Sequence, residues 1–265
     1  MKSISSRQNP LVRTFRALAD DPDPTGERLL LDGAHLVRDA HEAEALFEVL
    51  VVAASRLRTD SEEAQIAAAL EARGVEVITA DQKAFAALSP VKSPSGIAAI
   101  VRRKVTAPSL MCEHPRAFVV AAVDVQDPGN VGALIRAAEA GGATGTFVCG
   151  TSASPFSWKA LRGSMGSALR LPVATVRTPE LALERVRAAG LQSVAAAPRV
   201  GLPPDEVDWR PATAMFVGGE GTGLSASLIE RCDGRVTIPM RPPVESLNAA
   251  VAAALLVYEA RRQRM

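Results

Sequence analysis

The sequence predicts an α/β protein in two parts, the second built on a mostly parallel sheet. Three observations carry this. Strand-like apolar runs alternate with helically spaced stretches over the second half, as in a parallel sheet with crossover helices. The apolar run from Ala117 to Val125 fits a strand buried on both faces. Between Arg102 and Arg116 the chain carries Pro108, Pro115 and scattered charge without periodicity, which reads as a linker. The predicted divisions are 1–103, a linker at 104–116, and 117–265.

In the first part, Arg28–Gly33 reads as a short strand ending at a turn, and His35–Leu46 as a helix with apolar residues at Leu36, Val37, Ala40 and Ala43. Phe47–Ala53 is a strand. Ser61–Arg73 is a helix, capped by Ser61 and stopped by Gly74. Strands follow at Val75–Thr79 and Gly96–Val101. In the second part, strands are expected at Ala117–Val125, Thr146–Cys149, Val173–Val176, Gln192–Ala196, Ala214–Val217 and Val236–Pro239. Helices are expected at Val131–Ala140, Pro179–Ala189, Ser225–Arg231 and Leu247–Arg262.

Composition narrows the class. With 265 residues, 48% hydrophobic and 22% charged, the chain has globular proportions and length for two domains. A net charge of +1 is small for a nucleic-acid binder, so any such contact must come from local clusters. The three cysteines lie far apart, and no CxxC or Cys/His pair has zinc-ligand spacing; no metal is expected. The longest apolar stretch, Ala249–Val257, falls well short of the ~20 residues that span a bilayer. The first residues lack an apolar signal core. A cytoplasmic protein that does not enter the membrane is expected.

Three segments can carry chemistry, each where a strand gives way to a helix, the place where open α/β sheets bind ligands. The first is Asp124-Val-Gln-Asp-Pro-Gly-Asn130-Val-Gly-Ala-Leu-Ile-Arg136. Asn130 is a candidate N-cap. Arg136, in an otherwise apolar helix, either snorkels to solvent or meets an anion. The second is Phe216-Val-Gly218-Gly219-Glu220-Gly221-Thr-Gly223-Leu224-Ser225. Its glycines permit close backbone approach, but neither a complete dinucleotide fingerprint nor a P-loop is present. The third runs Ile238-Pro-Met240-Arg-Pro-Pro-Val-Glu-Ser246-Leu247-Asn248 into the last helix, where Ser246 and Asn248 also suit simple capping.

In this order and spacing the three segments resemble the SpoU/TrmH branch of the SPOUT methyltransferases. Leu161-Arg-Gly-Ser-Met-Gly-Ser-Ala-Leu-Arg-Leu-Pro-Val resembles the middle loop of that family. The N-terminal part is similar to the small RNA-substrate-binding domain of many members, through Ile4-Ser-Ser-Arg-Gln-Asn-Pro, Leu31-Asp-Gly-Ala-His-Leu-Val-Arg and Ser95-Gly-Ile-Ala-Ala-Ile-Val. One departure stands out: Pro242, followed by Pro243, replaces the family's usual glycine after Ile-Pro-Met, so the backbone of that loop differs.

The resemblance implies a C-terminal parallel sheet with a deep trefoil knot and a smaller N-terminal α/β domain. It implies methyl transfer from S-adenosylmethionine to a ribose 2′-hydroxyl of RNA, most readily 23S ribosomal RNA, by a homodimer. The matched cofactor positions are Gly218, Gly219, Ile238, Met240 and Leu247. The matched catalytic positions are Arg136, Asn130, Glu220, Ser246 and Asn248. Because a guanidinium stays protonated, the role expected of Arg136 is electrostatic: to hold a phosphate and ease a developing alkoxide. Arg7, Arg13, Arg162 and Arg170 are the candidate RNA contacts. Three other readings are an RNA-binding relative without catalysis, a transfer-RNA 2′-O-methyltransferase, and a nucleotide-dependent oxidoreductase. The broken glycine fingerprint counts against the last.

Overall fold

The structure is a computed structural model that describes residues 2–57, 60–103 and 105–265. Lys104, the first residue of the predicted linker, lies outside the described residues. In chain order the elements are β1 (Lys2–Ile4), α1 (Pro10–Asp20), β2 (Arg28–Asp32), α2 (Ala34–Glu42), β3 (Leu46–Ala53), α3 (Glu62–Ala72), β4 (Val77–Ala80), α4 (Gln82–Leu88), β5 (Ile97–Arg102), β6 (Phe118–Val123) and α5 (Pro128–Ala140). They continue with β7 (Gly145–Cys149), α6 (Trp158–Ser164), α7 (Ser167–Arg170), β8 (Val173–Val176), α8 (Pro179–Ala188), β9 (Gln192–Ala196), β10 (Thr213–Gly218), α9 (Ala226–Arg231), β11 (Gly234–Val236) and α10 (Ala249–Arg264). They form two compact units: Met1–Val105 with Phe156–Leu169, and Thr106–Pro155 with Arg170–Met265.

The first unit is a five-stranded sheet in the order β1-β4-β3-β5-β2, with β5 antiparallel to both neighbours. Its core gathers Val12 and Phe15 from α1, Val49 and Val51 from β3, Phe85 and Leu88 from α4, and Ile100 from β5. Ser61 caps α3 as expected, accepting from Ala64 N. The helix expected over His35–Leu46 stops at Glu42. Glu44 takes a left-handed φ of 55° and turns the chain, so that Leu46 opens β3. The short β1, α1 and α4 lie outside the sequence expectation.

A segment from the second half of the sequence completes this unit. The Phe156 ring fills the space over Gly26, where any Cβ would sit 2.3 Å from the ring. Arg103 stacks on the same ring at 4.2 Å and donates Nε to Gly26 O at 2.7 Å. Burial pulls the Arg103 guanidinium down to a pKa of about 10. Trp158 packs against the core of this unit.

In the second unit a six-stranded sheet runs β11-β9-β10-β6-β7-β8, and every pairing is parallel. β6 is buried along its whole length. From β6 the chain moves outward through β7 to β8, then crosses to the far side for β9, β10 and β11. The order therefore reverses between β6 and β10, which lie side by side in register from Phe118–Thr213 to Val123–Gly218. α10 lies on α5, closely enough that a Cβ on Gly141 would meet Val257 Cγ1 at 1.9 Å. β11 ends at Val236 rather than Pro239, and residues 237–248 form a loop before α10.

Candidate active site

The strand order brings two of the three motifs together: one leaves the end of β6, the other the end of the neighbouring β10. The loop after β6 begins with Asp124, a non-glycine residue held at φ 54°. The Asp124 Oδ1 accepts from Thr151 N at 2.7 Å and Thr151 Oγ1 at 2.9 Å. Asp127, not Asn130, caps α5, its Oδ1 accepting from Asn130 N at 2.8 Å. Pro128 opens the helix, where its missing N–H is no loss. Asn130 thus sits in the first turn with its amide group free to reach outward.

The glycines after β10 divide by cause. A Cβ on Gly218 would lie 2.3 Å from Gly223 C, and one on Gly219 would lie 2.2 Å from Asp124 O. These two are small because backbone passes against backbone. Gly223 takes φ 64°. At Gly221 a Cβ would meet nothing within 4 Å; the space beside it belongs to a cavity.

That cavity is lined by all five matched cofactor positions, Gly218, Gly219, Ile238, Met240 and Leu247, together with Glu220 and Ser246. Val217, Val236, Ala249, Ala252 and Leu256 complete an apolar wall, which suits a flat aromatic ring with a few placed polar groups. Ala196, Ala197 and Pro198 also line it. The sequence reading missed this segment, although it ends β9, the strand beside β10.

Glu220 joins the cavity to a polar network. Its Oε1 accepts from Asn130 Nδ2 and from Asn248 Nδ2 at 3.0 Å. Asn248 Nδ2 also approaches Asn130 Oδ1 at 3.1 Å. The other atom of the same amide, Asn248 Oδ1, caps α10 by accepting from Ala250 N and Val251 N. Capping and site chemistry, alternatives in the sequence, are combined in one side chain. Three residues separated by 90 and 28 positions thus meet.

Arg136 does not join this network. It is exposed on α5, lies outside the cavity lining, and makes no hydrogen bond or ion pair among the described residues. Arg7 and Arg13 are likewise exposed without such partners, and Arg162 is exposed. Arg170 is committed to a two-pronged pair with Glu139 at 2.9 Å. Burial pushes the Cys149 thiol up to about 12 and the Cys232 thiol up to about 11, so neither supplies a thiolate nucleophile. Among the described residues no cluster of three His, Cys, Asp or Glu side chains could hold a metal. Pro242–Pro243 is joined by a cis peptide bond and lies beyond the cavity wall.

Residues 117–258 match the SpoU rRNA Methylase family, and residues 9–99 match an MRM3-like substrate binding domain. A Bacillus subtilis relative, 23S rRNA (guanosine(2553)-2′-O)-methyltransferase RlmP, is 31% identical over 98% of this chain and 100% of its own. Among solved structures, an AdoMet-bound rRNA methyltransferase from Sinorhizobium meliloti superposes with a TM-score of 0.85 at 28% identity, covering 98% of this chain and 97% of that one. The SpoU methyltransferase AviRb from Streptomyces viridochromogenes, in complex with AdoMet, gives 0.82 at 28% identity over 97% and 99%. Parallel sheet, motif order and relatives agree: the chain belongs to the SpoU rRNA methylase family.

Proposed function

We propose that this protein transfers a methyl group from S-adenosylmethionine to a ribose 2′-hydroxyl of 23S ribosomal RNA. The observation that carries the proposal is the meeting of the cavity formed by Gly218, Gly219, Ile238, Met240 and Leu247 with the Asn130–Glu220–Asn248 network at its edge. The apolar wall and the open space at Gly221 fit an adenosine-sized ligand. When bound, the cofactor supplies an electrophilic methyl group on a sulfonium. Asn130 and Asn248 orient the Glu220 carboxylate, and Ser246 offers a hydroxyl at the same cavity. Arg136, exposed and without a partner among the described residues, holds the RNA phosphate and steadies negative charge growing on the 2′-oxygen. Demand for a 2′-hydroxyl itself selects RNA over DNA.

The reading includes RNA contacts by Arg7, Arg13 and Arg162, with Arg170 weaker because Glu139 already takes its charge, a cytoplasmic setting, a knotted C-terminal segment and a homodimer. Of the small residues on α10, Ala249, Ala250 and Ala253 are buried within the chain itself. The face of α10 available to a second copy is instead Val251, Leu255 and Tyr258, which are 49%, 50% and 55% exposed and spaced as one helical stripe. A test is to map ribose methylation of 23S rRNA with and without the gene. One site must vanish in the deletion and return when purified protein and S-adenosylmethionine are added to that RNA. A map that does not change would overturn the proposal.

A further inference from the structure

A second cavity lies in the same unit, behind the wall of the first. It is about 330 Å³ in volume, and Pro198, Ile238 and Met240 line both cavities. Its other walls include Pro242 and Pro243, with Arg199 and Glu245 as its charged groups. Neither Arg199 nor Glu245 makes a hydrogen bond or ion pair among the described residues, and both are exposed.

We infer that this cavity binds an unpaired guanine base of the substrate RNA. The inference rests on the RNA methyltransferase reading given above. Proline, isoleucine and methionine side chains offer flat apolar faces against which an unstacked base can lie. The carboxylate selects which base. A surface that meets a polyanion loses association energy to an uncompensated negative charge, unless that charge accepts hydrogen bonds from the RNA. An ionised carboxylate is acceptor-only and takes two parallel N–H donors. Guanine presents such a pair, N1–H beside its 2-amino group. Adenine and cytosine place one amino group next to a ring-nitrogen acceptor, and uracil places one N–H between two carbonyls. Guanine is therefore the base that satisfies Glu245 without setting an acceptor against it.

Arg199, the cavity's other charged group, supplies the cation for a phosphate, and its loop is pinned. Val200, the next residue, holds φ 64°, a left-handed conformation uncommon for a β-branched side chain and maintained only where the surroundings fix it. Gly201 N donates to Thr237 Oγ1 at 2.9 Å, Leu202 N to Arg235 O at 3.0 Å, and Thr237 N to Leu202 O at 2.9 Å. The Arg199 loop and the Ile238 loop are tied into one frame before any ligand arrives.

The test has two arms on the full-length protein. In the first, GMP, IMP, AMP, CMP and UMP are titrated with S-adenosylhomocysteine present, read by NMR shifts near Glu245. GMP should bind in preference to the rest. IMP, which lacks the 2-amino group, should bind about tenfold more weakly, as expected for one lost hydrogen bond to a charged acceptor. Glu245→Gln should erase the preference. In the second, Glu245→Gln and Arg199→Ala should raise the KM for 23S rRNA more than they lower kcat, with cofactor affinity unchanged. Equal binding of AMP and GMP, or an RNA KM unmoved by Glu245→Gln, would overturn the inference. A wild-type protein that prefers GMP but methylates no RNA would instead overturn the enzymatic reading and leave the base site standing.

Discussion

The two units are both helix-covered sheets, and they treat charge at their strand ends in opposite ways. In the first, two carboxylates are satisfied within the chain. The Asp32 carboxylate, 5% exposed, accepts from Ser89 Oγ at 2.7 Å and Ser95 Oγ at 3.3 Å. Glu48 accepts from both Arg28 and Arg102. In the second, Glu220 at the end of β10 is exposed and shares one oxygen with two amides at the mouth of a cavity, and Arg136 has no partner among the described residues. Groups satisfied within the chain hold a structure together, whereas groups left with bonding capacity can serve a ligand.

The sharpest way to test the division is to damage the first unit through a residue from the second half of the sequence. Phe156→Ala removes a ring that is 3% exposed and stacked under Arg103. Such truncations cost about 3–5 kcal/mol. Hydrogen exchange should quicken in β2 and β5 and stay slow in β6 and β10. Uniform loosening of both sheets would break the comparison.

Next in size is Arg136→Ala, which should leave both sheets intact and lower kcat by about 10²–10³, or roughly 3–4 kcal/mol, with cofactor affinity retained. Arg136→Lys should be nearly as poor, because lysine keeps the charge but loses the planar fork. A turnover above about a tenth of wild type for the alanine variant, far outside that range, would remove Arg136 from the site.

Asp124→Ala tests whether a buttress behind the open site matters. It deletes the acceptor for Thr151 N and Oγ1 and leaves a left-handed turn without support. The cost should be about 1–3 kcal/mol, seen as a lower melting temperature and a reduced kcat together. Melting that stays at the wild-type value would count against the buttress.

The smallest effect is in pH dependence, where its sign matters. Burial raises the Asp32 carboxyl above its ordinary value, against the lowering influence of the two serines and Arg162. Its folded pKa exceeds the unfolded one, so its contribution is full below the ordinary value and is lost as pH rises through the folded value. Asp233 in the second unit runs the other way. The Ser193 hydroxyl lowers it, so its contribution is present above the ordinary value and lost as pH falls through the folded one. Trp158 lies in the first unit and Trp209 in the second, so Trp158→Phe and Trp209→Phe leave one reporter in each. Asp32→Asn, read by Trp158, should gain stability relative to wild type between pH 4 and neutrality. Asp233→Asn, read by Trp209, should lose stability relative to wild type as pH rises from the acid side to the ordinary carboxyl value of 3.8, and change little further above it.

Much of this molecule was legible in one dimension. Period-two and period-3.6 patterns are local, so β8 and β9 fall where the apolar runs place them. Ser61 acts as a cap because the chemistry of capping spans only a few residues. The three motifs could be read as a family signature because their residue types and order survive in the linear chain. Partnership was not legible. Nothing local in Gly219 tells that Asp124 O will press against it, or that Phe156 will seat on Gly26 of the first unit. The sequence by itself determined which segments become strands and helices and which residue types stand at their ends, since those follow from neighbours a few positions away. Only the tertiary structure decided that Asn130, Glu220 and Asn248 share hydrogen bonds while Arg136 stands apart, because the reversal of strand order between β6 and β10 sets which loops meet.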